Sequence, residues 1–289
     1  MTTRLRLDIA YDGTNFLGWA KQPGIRTVQG ELEAALATVF RKHGPALQLT
    51  VAGRTDAGVH ATGQVAHLDL TEVQLAHLRD PHGFRPTPVE PTVALPKRLN
   101  GIAGLKSDVW VTSASIAPEG FDARFSPEYR RYEYRIADAA AARNPLLRNH
   151  TLWYPARLDA DAMNAAAREL TGLADWAAYC RPREGATTIR ELQEFRWERD
   201  LTGVLIARLK ADAFCHSMVR ALVGATVSVG EGKLEGDRLA GIRDEAQRTS
   251  EFKVMPAHGL TLVEVGYPED VAARAILTRA RRDADQALS

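Results

Sequence analysis

Long apolar runs are missing from this 289-residue chain. No stretch approaches the ~20 consecutive apolar residues that a membrane helix needs. Cysteine is scarce: Cys180 and Cys215 are the only two, and they form no CxxC pair. The adjacent Cys215 and His216 have a poor spacing for zinc. A reduced, cytoplasmic chain is the simplest expectation. The first residues, MTTRLRLDIAYDG, agree with it, because they lack the apolar core and cleavage site of a signal peptide. Charge of one sign is also lacking: 37 Lys and Arg face 36 Asp and Glu, for a formal net charge of +1. That balance does not favour a nucleic-acid binder, and it does not exclude one, since binding depends on local clusters. The sequence holds no Walker A, no GxSxG, no HExxH and no GxGxxG opening a helix. Nothing implies a metal, an organic cofactor or a membrane partner.

What is present is an ordinary globular composition, 45% hydrophobic and 25% charged, in a chain long enough for a substantial core. Leu5, Leu7 and Ile9 alternate with Arg4, Arg6 and Asp8, the period of a half-buried strand. TVQGELEAALATVFRKHG then places Val28, Leu32, Ala35, Leu36, Val39 and Phe40 on one helical face. Thr27 suits its cap and Gly44 its end. LQLTVAG and QVAHLDL read as strands, residues near 91 to 102 as helical or irregular, and DVWVTSASI as another strand. The order then repeats. YRRYEYRI is a strand, and DADAMNAAARELTG is a helix with Asp159 as its cap. ELQEFRWER and GVLIARLKA are strands joined by the hairpin signal DLTG. CHSMVRALVGATVSVG is an apolar helix, and GLTLVEVGY is a closing strand.

This is β-α-β-β-α-β twice, the split βαβ or ferredoxin-like pattern. The expected fold class is mixed α+β, with helices packed on a mainly antiparallel sheet. The expected halves are residues 1–116 and 117–289, with 117–127 as the natural join. Two such sheets side by side would leave a cleft between the halves. The Pro-rich stretch over 80–97 reads as a surface loop.

Three features stand out as chemistry. The first is Asp56 in AGRTDAGVHATGQ, residues 52–64. Gly53, Ala57 and Gly58 leave room around the carboxylate, while Arg54, Thr55, His60 and Gln64 supply polar company. The same residues suit a plain β-turn in which Asp bonds its own backbone. His60 and Gln64 read as polar residues at the rim. The second is Arg220 in the apolar helix, with His216 four residues earlier on the same face. A guanidinium there is costly unless it meets a carboxylate or reaches the surface from the helix end. The third is the pair Tyr132 and Tyr134 on one strand face, beside Arg130, Arg131 and Arg135. Aromatic rings stack on nucleobases and arginines neutralise phosphates, though core tyrosines are equally ordinary.

At these residues the chain resembles the tRNA pseudouridine synthase A family. AGRTDAGVHATGQVAH is similar to that family's signature around a nucleophilic aspartate. YDGTNFLGW, TVQGELEAAL, FDARFSPEYRRYEYRI, DAFCHSMVRALVG and GLTLVEVGYP resemble its other motifs, in the right order along most of the chain. The resemblance implies that Asp56 is the catalytic aspartate and that Tyr132 stacks on the target uracil. It implies that Arg220 pairs with the acid in the cleft, and that Arg54 helps extrude the nucleotide. It further implies a cofactor-free homodimer acting on uridines 38 to 40 of the tRNA anticodon stem-loop. His60 and Gln64 join Arg54 as candidate substrate contacts. Departures fall in LNGIAGLKSDVWV, in GWAKQPG and in the Pro-rich loop, away from these residues. A non-catalytic RNA-binding protein shares the element order but would carry an RNP1-like run, which no predicted strand has. A carboxylate hydrolase for small molecules is a third reading.

Overall fold

The computed structural model describes residues 2–80, 87–183 and 187–287. The chain divides into two compact units. The first is Met1–Pro127 with Tyr267–Thr278, and the second is Glu128–Gly266 with Arg279–Ser289. The join at 117–127 therefore belongs wholly to the first unit, and a late segment returns to it.

The first unit contains β1 (Thr2–Tyr11), α1 (Val28–Val39), β2 (Thr50–Val51), β3 (His60–Thr71), α2 (Glu72–Arg79), α3 (Pro91–Ala103) and β4 (Val109–Ile116). β1 is the central strand, antiparallel to β3 on one side and β4 on the other. Its alternation does what the sequence predicts: Leu5, Leu7 and Ile9 are fully buried. Each such side chain contributes roughly 1.5–3 kcal/mol relative to an exposed one. A bulge between Ile9 and Tyr11 shifts the pairing, so that Tyr11 faces Ala61 near the start of β3. Thr27 Oγ1 caps α1 by accepting from Gly30 N at 3.2 Å. The helix stops at Val39 rather than near Gly44, which instead turns the following loop at φ +93°.

The helix α2 is absent from the sequence reading, yet its capping box is legible in TEVQ. Gln74 N donates to Thr71 Oγ1 and Thr71 N to Gln74 Oε1, the reciprocal pairing that starts helices. The surface loop expected over 80–97 is corrected in part. Residues 81–86 lie outside those described, and from Pro91 the chain is already helical. Proline is tolerated there because a first-turn N–H has no helical partner. Asn100 then pins α3 to β4 by bonding both N and O of Val111.

The second unit contains β5 (Tyr129–Ala137), β6 (Leu152–Trp153), α4 (Ala160–Glu169), β7 (Gly172–Asp175), β8 (Ile189–Arg199), β9 (Leu205–Ala211), α5 (Met218–Gly230), α6 (Arg238–Glu245) and β10 (Leu260–Gly266). A further helix, α7, runs over Val271–Ala287. The sheet order in this unit is β10-β5-β9-β8-β7, antiparallel throughout, with β6 added parallel to β5. The fold class is mixed α+β, as expected. Asp159 caps α4 as predicted. The β8–β9 hairpin turns on Gly203 at φ +86°, with Asp200 Oδ1 accepting from the Thr202 and Val204 amides.

Two expectations fail in this unit. Ser217 sits in the left-handed region at φ +66°, so α5 begins only at Met218. His216 is therefore outside the helix and exposed, not on the face of Arg220. The two cysteines are not separate thiols. Cys180 and Cys215 are joined, with Cα atoms 5.7 Å apart. Thirty-five residues of separation concealed that proximity.

Candidate active site

Asp56 lies in the turn that connects β2 to β3. Several residues of this turn are held by backbone hydrogen bonds. Trp19 N donates to Thr55 O at 3.0 Å, and Gly58 N donates to Phe16 O at 3.2 Å. Val59 N closes the turn on Asp56 O at 3.2 Å. Gly58 adopts φ +78°, a conformation that favours glycine. Gly13 packs so closely that a Cβ would collide with the Val59 carbonyl.

A buried polar group lies under the turn. The Thr55 hydroxyl meets Tyr11 Oη at 2.8 Å. Gln64 Nε2 donates to Tyr11 Oη at 3.2 Å and to Gly53 O at 2.9 Å, while Gln64 Oε1 accepts from Val65 N at 3.1 Å. Burial pushes the Tyr11 hydroxyl up to about 12, against the opposing effect of its Thr55 and Gln64 hydrogen bonds. Above this group the exposure reverses. Asp56 is half-buried, and Arg54 is exposed with no ion-pair partner among the described residues.

His60 and Gln64 are not at a rim. Gln64 is fully buried and His60 is 5% exposed. Gly13 N donates to His60 Nδ1 at 3.0 Å, which makes that nitrogen an acceptor. The Asp12 carboxylate 3.1 Å from the same nitrogen therefore adds no hydrogen bond there in the neutral ring. Both side chains point inward because β3 starts at His60 and is covered on both faces along much of its length.

The other candidate residues belong to the second unit. Tyr132 and Tyr134 share the inner face of β5, as the spacing predicts. Tyr132 is 9% exposed and meets Phe214 edge-to-face at 5.2 Å. Tyr134 is fully buried, and its hydroxyl donates to Pro256 O at 2.7 Å. Burial raises the Tyr134 hydroxyl far above its ordinary pKa, and the positive charge of Arg220 offsets part of that rise. Arg220, half-buried in the first turn of α5, donates to Ser217 Oγ at 3.1 Å and to Met255 O at 3.4 Å. Its own carbonyl accepts from Met255 N.

The structure thus brings Arg54, Asp56, His60 and Gln64 together in one unit, and Tyr132, Tyr134 and Arg220 into one core in the other. Sequence reasoning missed Tyr11 and Ser217. Tyr11 was findable, because it continues the inward alternation of Leu5, Leu7 and Ile9. Ser217 carried no signal, since a left-handed serine looks like any other serine. No cluster of three or more His, Cys, Asp or Glu side chains that could hold a metal exists among the described residues. No helix among them is long and apolar enough to cross a membrane.

With this geometry in hand, the chain can be set beside known proteins. The family profile described as tRNA pseudouridine synthase matches residues 9–79 and 166–268. A protein of Leifsonia xyli subsp. xyli named tRNA pseudouridine synthase A is 62% identical over 285 residues, 97% of this chain and 98% of the relative. Proteins of the same name from Frankia casuarinae and Streptomyces griseus are 53% and 51% identical, each over 96% of this chain. The chain belongs to the tRNA pseudouridine synthase family. Membership sets aside the non-catalytic RNA-binding module and the small-molecule hydrolase.

Proposed function

We propose that this enzyme isomerises uridine to pseudouridine at positions 38 to 40 of the tRNA anticodon stem-loop, with Asp56 as the nucleophile. The observation that carries the reading is the 62% identity over 97% of the chain to a tRNA pseudouridine synthase A. It is supported by an acid presented from a turn that hydrogen bonds from Trp19, Phe16, Tyr11 and Gln64 hold from beneath.

The reaction breaks the bond between N1 of uracil and C1′ of ribose, turns the base and joins C5 to C1′. A proton leaves C5 and a proton ends on N1, so atoms balance and no cofactor is consumed. A covalent nucleophile divides this exchange into easier steps. A carboxylate suits the task because it is ionised at neutral pH and can leave again. Asp56 forms the covalent bond to the nucleotide and is released at the end. The target base must leave the helical stack, at a cost of a few kcal/mol. Exposed Arg54 enters the vacated space, and the Tyr132 ring stacks on the uracil. Arg220 is a further catalytic residue, contributing its positive charge. His60 and Gln64 serve the turn from beneath, leaving Arg54 and Tyr132 as the substrate contacts. The enzyme acts as a homodimer in the cytoplasm, where its tRNA substrate is.

The test is Asp56→Asn, assayed by tritium release from C5 of uridine in tRNA, with pseudouridine mapped at nucleotide resolution. Loss of turnover on the order of 10⁴-fold is expected, with the fold intact. Activity within tenfold of wild type excludes the nucleophile assignment. Sedimentation of the purified enzyme checks the dimer.

A further inference from the structure

Gln64, Tyr11 and Thr55 are three buried polar side chains linked through the Tyr11 hydroxyl, at the turn that carries Asp56. Each is almost inaccessible: Gln64 0%, Tyr11 5% and Thr55 6% exposed. Burying this much polarity is costly unless every group is bonded. An aliphatic trio would fill the same volume without that requirement.

The hydrogen bonds join these side chains in series. Gln64 Nε2 donates to Tyr11 Oη, and Tyr11 Oη shares a second hydrogen bond with Thr55 Oγ1 in which either hydroxyl can be the donor. The second Nε2 proton goes to Gly53 O. The chain of bonds therefore runs from Gly53 O through Gln64 and Tyr11 to the Thr55 side chain. Gly53 and Thr55 are the two neighbours of Arg54, and Thr55 precedes Asp56. The Thr55 carbonyl is held separately by Trp19 N.

We propose that Tyr11, Thr55 and Gln64 form a neutral hydrogen-bonded strut that sets the position of Asp56 and Arg54. They are positioning residues and do not touch the substrate. This inference rests on the reading of Asp56 as the nucleophile. The strut carries no charge, and Tyr11 stays protonated until about pH 12, so it holds the same geometry over the whole working range. A covalent nucleophile must meet one carbon of an extruded nucleotide, and a displacement of ~1 Å can cost on the order of 100-fold in rate.

The experiment uses single-atom changes in the full-length enzyme: Tyr11→Phe, Thr55→Val, Thr55→Ser and the double variant Tyr11→Phe with Thr55→Val. Single-turnover rate, tRNA dissociation constant and melting temperature are measured for each, with Asp56→Asn alongside. The expected result is a rate about 10- to 100-fold lower for Tyr11→Phe and Thr55→Val, with tRNA affinity within about twofold. Thr55→Ser keeps the hydroxyl and restores the rate. The double variant falls no further than the slower single variant, because both remove the same bond. A role in folding alone would lower the melting temperature and the active fraction without changing the rate per folded molecule. The strut is overturned if both single variants react within about threefold of wild type. It is overturned too if Thr55→Ser falls as far as Thr55→Val, or if the two losses multiply. Should Tyr11→Phe not fold, the Thr55 pair decides. Should Asp56→Asn remain active, the nucleophile assignment and the strut fall together; an inactive Asp56→Asn beside normal strut variants removes the strut alone.

Discussion

The turn around Asp56 and the first turn of α5 both present charged side chains, and they are built by opposite means. The Asp56 turn is held by neutral hydrogen bonds from buried side chains and by backbone packed against backbone. Glycines stand where space or a positive φ requires them, at Gly13 and Gly58. The start of α5 uses no glycine. Ser217 takes the left-handed conformation with a side chain attached, a strain of about 1–3 kcal/mol. Burial of nearly all of α5 holds that strain in place. The Ser217 hydroxyl then receives the Arg220 guanidinium. One region fixes a carboxylate through the neutral hydrogen bonds of Tyr11, Thr55 and Gln64 beneath it. The other fixes a cation by spending the stability of a buried helix on a strained corner.

A second contrast lies within the second unit. The inner face of its sheet is apolar, whereas the outer face is a lattice of ion pairs. Arg208 joins Glu133 and Glu198, Arg196 joins Glu194 and Glu198, and Arg131 joins Glu194 and Glu264. These pairs are partly exposed and screened by salt, so each is worth little. The bond between Arg199 and Asp138 differs, because the Asp138 side chain is fully buried. Burial works to raise its carboxyl, but the Arg199 guanidinium and the Leu158 and Ala140 amides outweigh it and hold its pKa below the ordinary value.

These contrasts can be broken in order of expected effect. Asp56→Asn is the largest, and its loss is in turnover rather than in stability. Next are the glycines on which backbone rests. A Cβ at Gly13 meets the Val59 carbonyl, and one at Gly224 meets the Lys253 carbonyl. Each Gly→Ala change is expected to cost about 1–3 kcal/mol or more, read by urea unfolding. Gly13→Ala should also lower the single-turnover rate, because Val59 closes the Asp56 turn.

Arg199→Met leaves Asp138 buried without its cation, and a loss of about 3–5 kcal/mol is expected. The pH dependence has a definite sign. Asp138 titrates lower when folded than when unfolded, so its contribution is present above the unfolded value near 3.9 and disappears as pH falls through the folded value. Wild-type stability should therefore drop on acidification below about pH 5. The Arg199→Met variant should show a shallower drop there, and an equal slope would remove Asp138 from the account. The smallest effect belongs to Arg196→Ala on the outer face, expected within ~0.5 kcal/mol. A larger loss would mean that the ion pairs act as a network.

The sequence determined a good deal by itself. Alternation in LRLDI and RRYEYRI placed the strands and their inward faces. Thr27 and Asp159 marked helix starts, and the composition around Asp56 marked a turn able to present an acid. These are local facts, set by steric preference and by hydrogen bonds between residues a few positions apart. Tertiary structure decided the rest. It buried His60 and Gln64, which read as polar rim residues because polarity along a strand does not say whether another layer covers it. It put His216 off the helix through a strained Ser217. It joined Cys180 to Cys215, and it drew Tyr267–Thr278 back to the first unit. Each of these outcomes depends on contacts between distant residues, whose energy appears only when the chain is folded. The motif AGRTDAGVHATGQ named the acid; the strut beneath it came into view only when Tyr11, forty-four residues from Thr55, was found bonded to it.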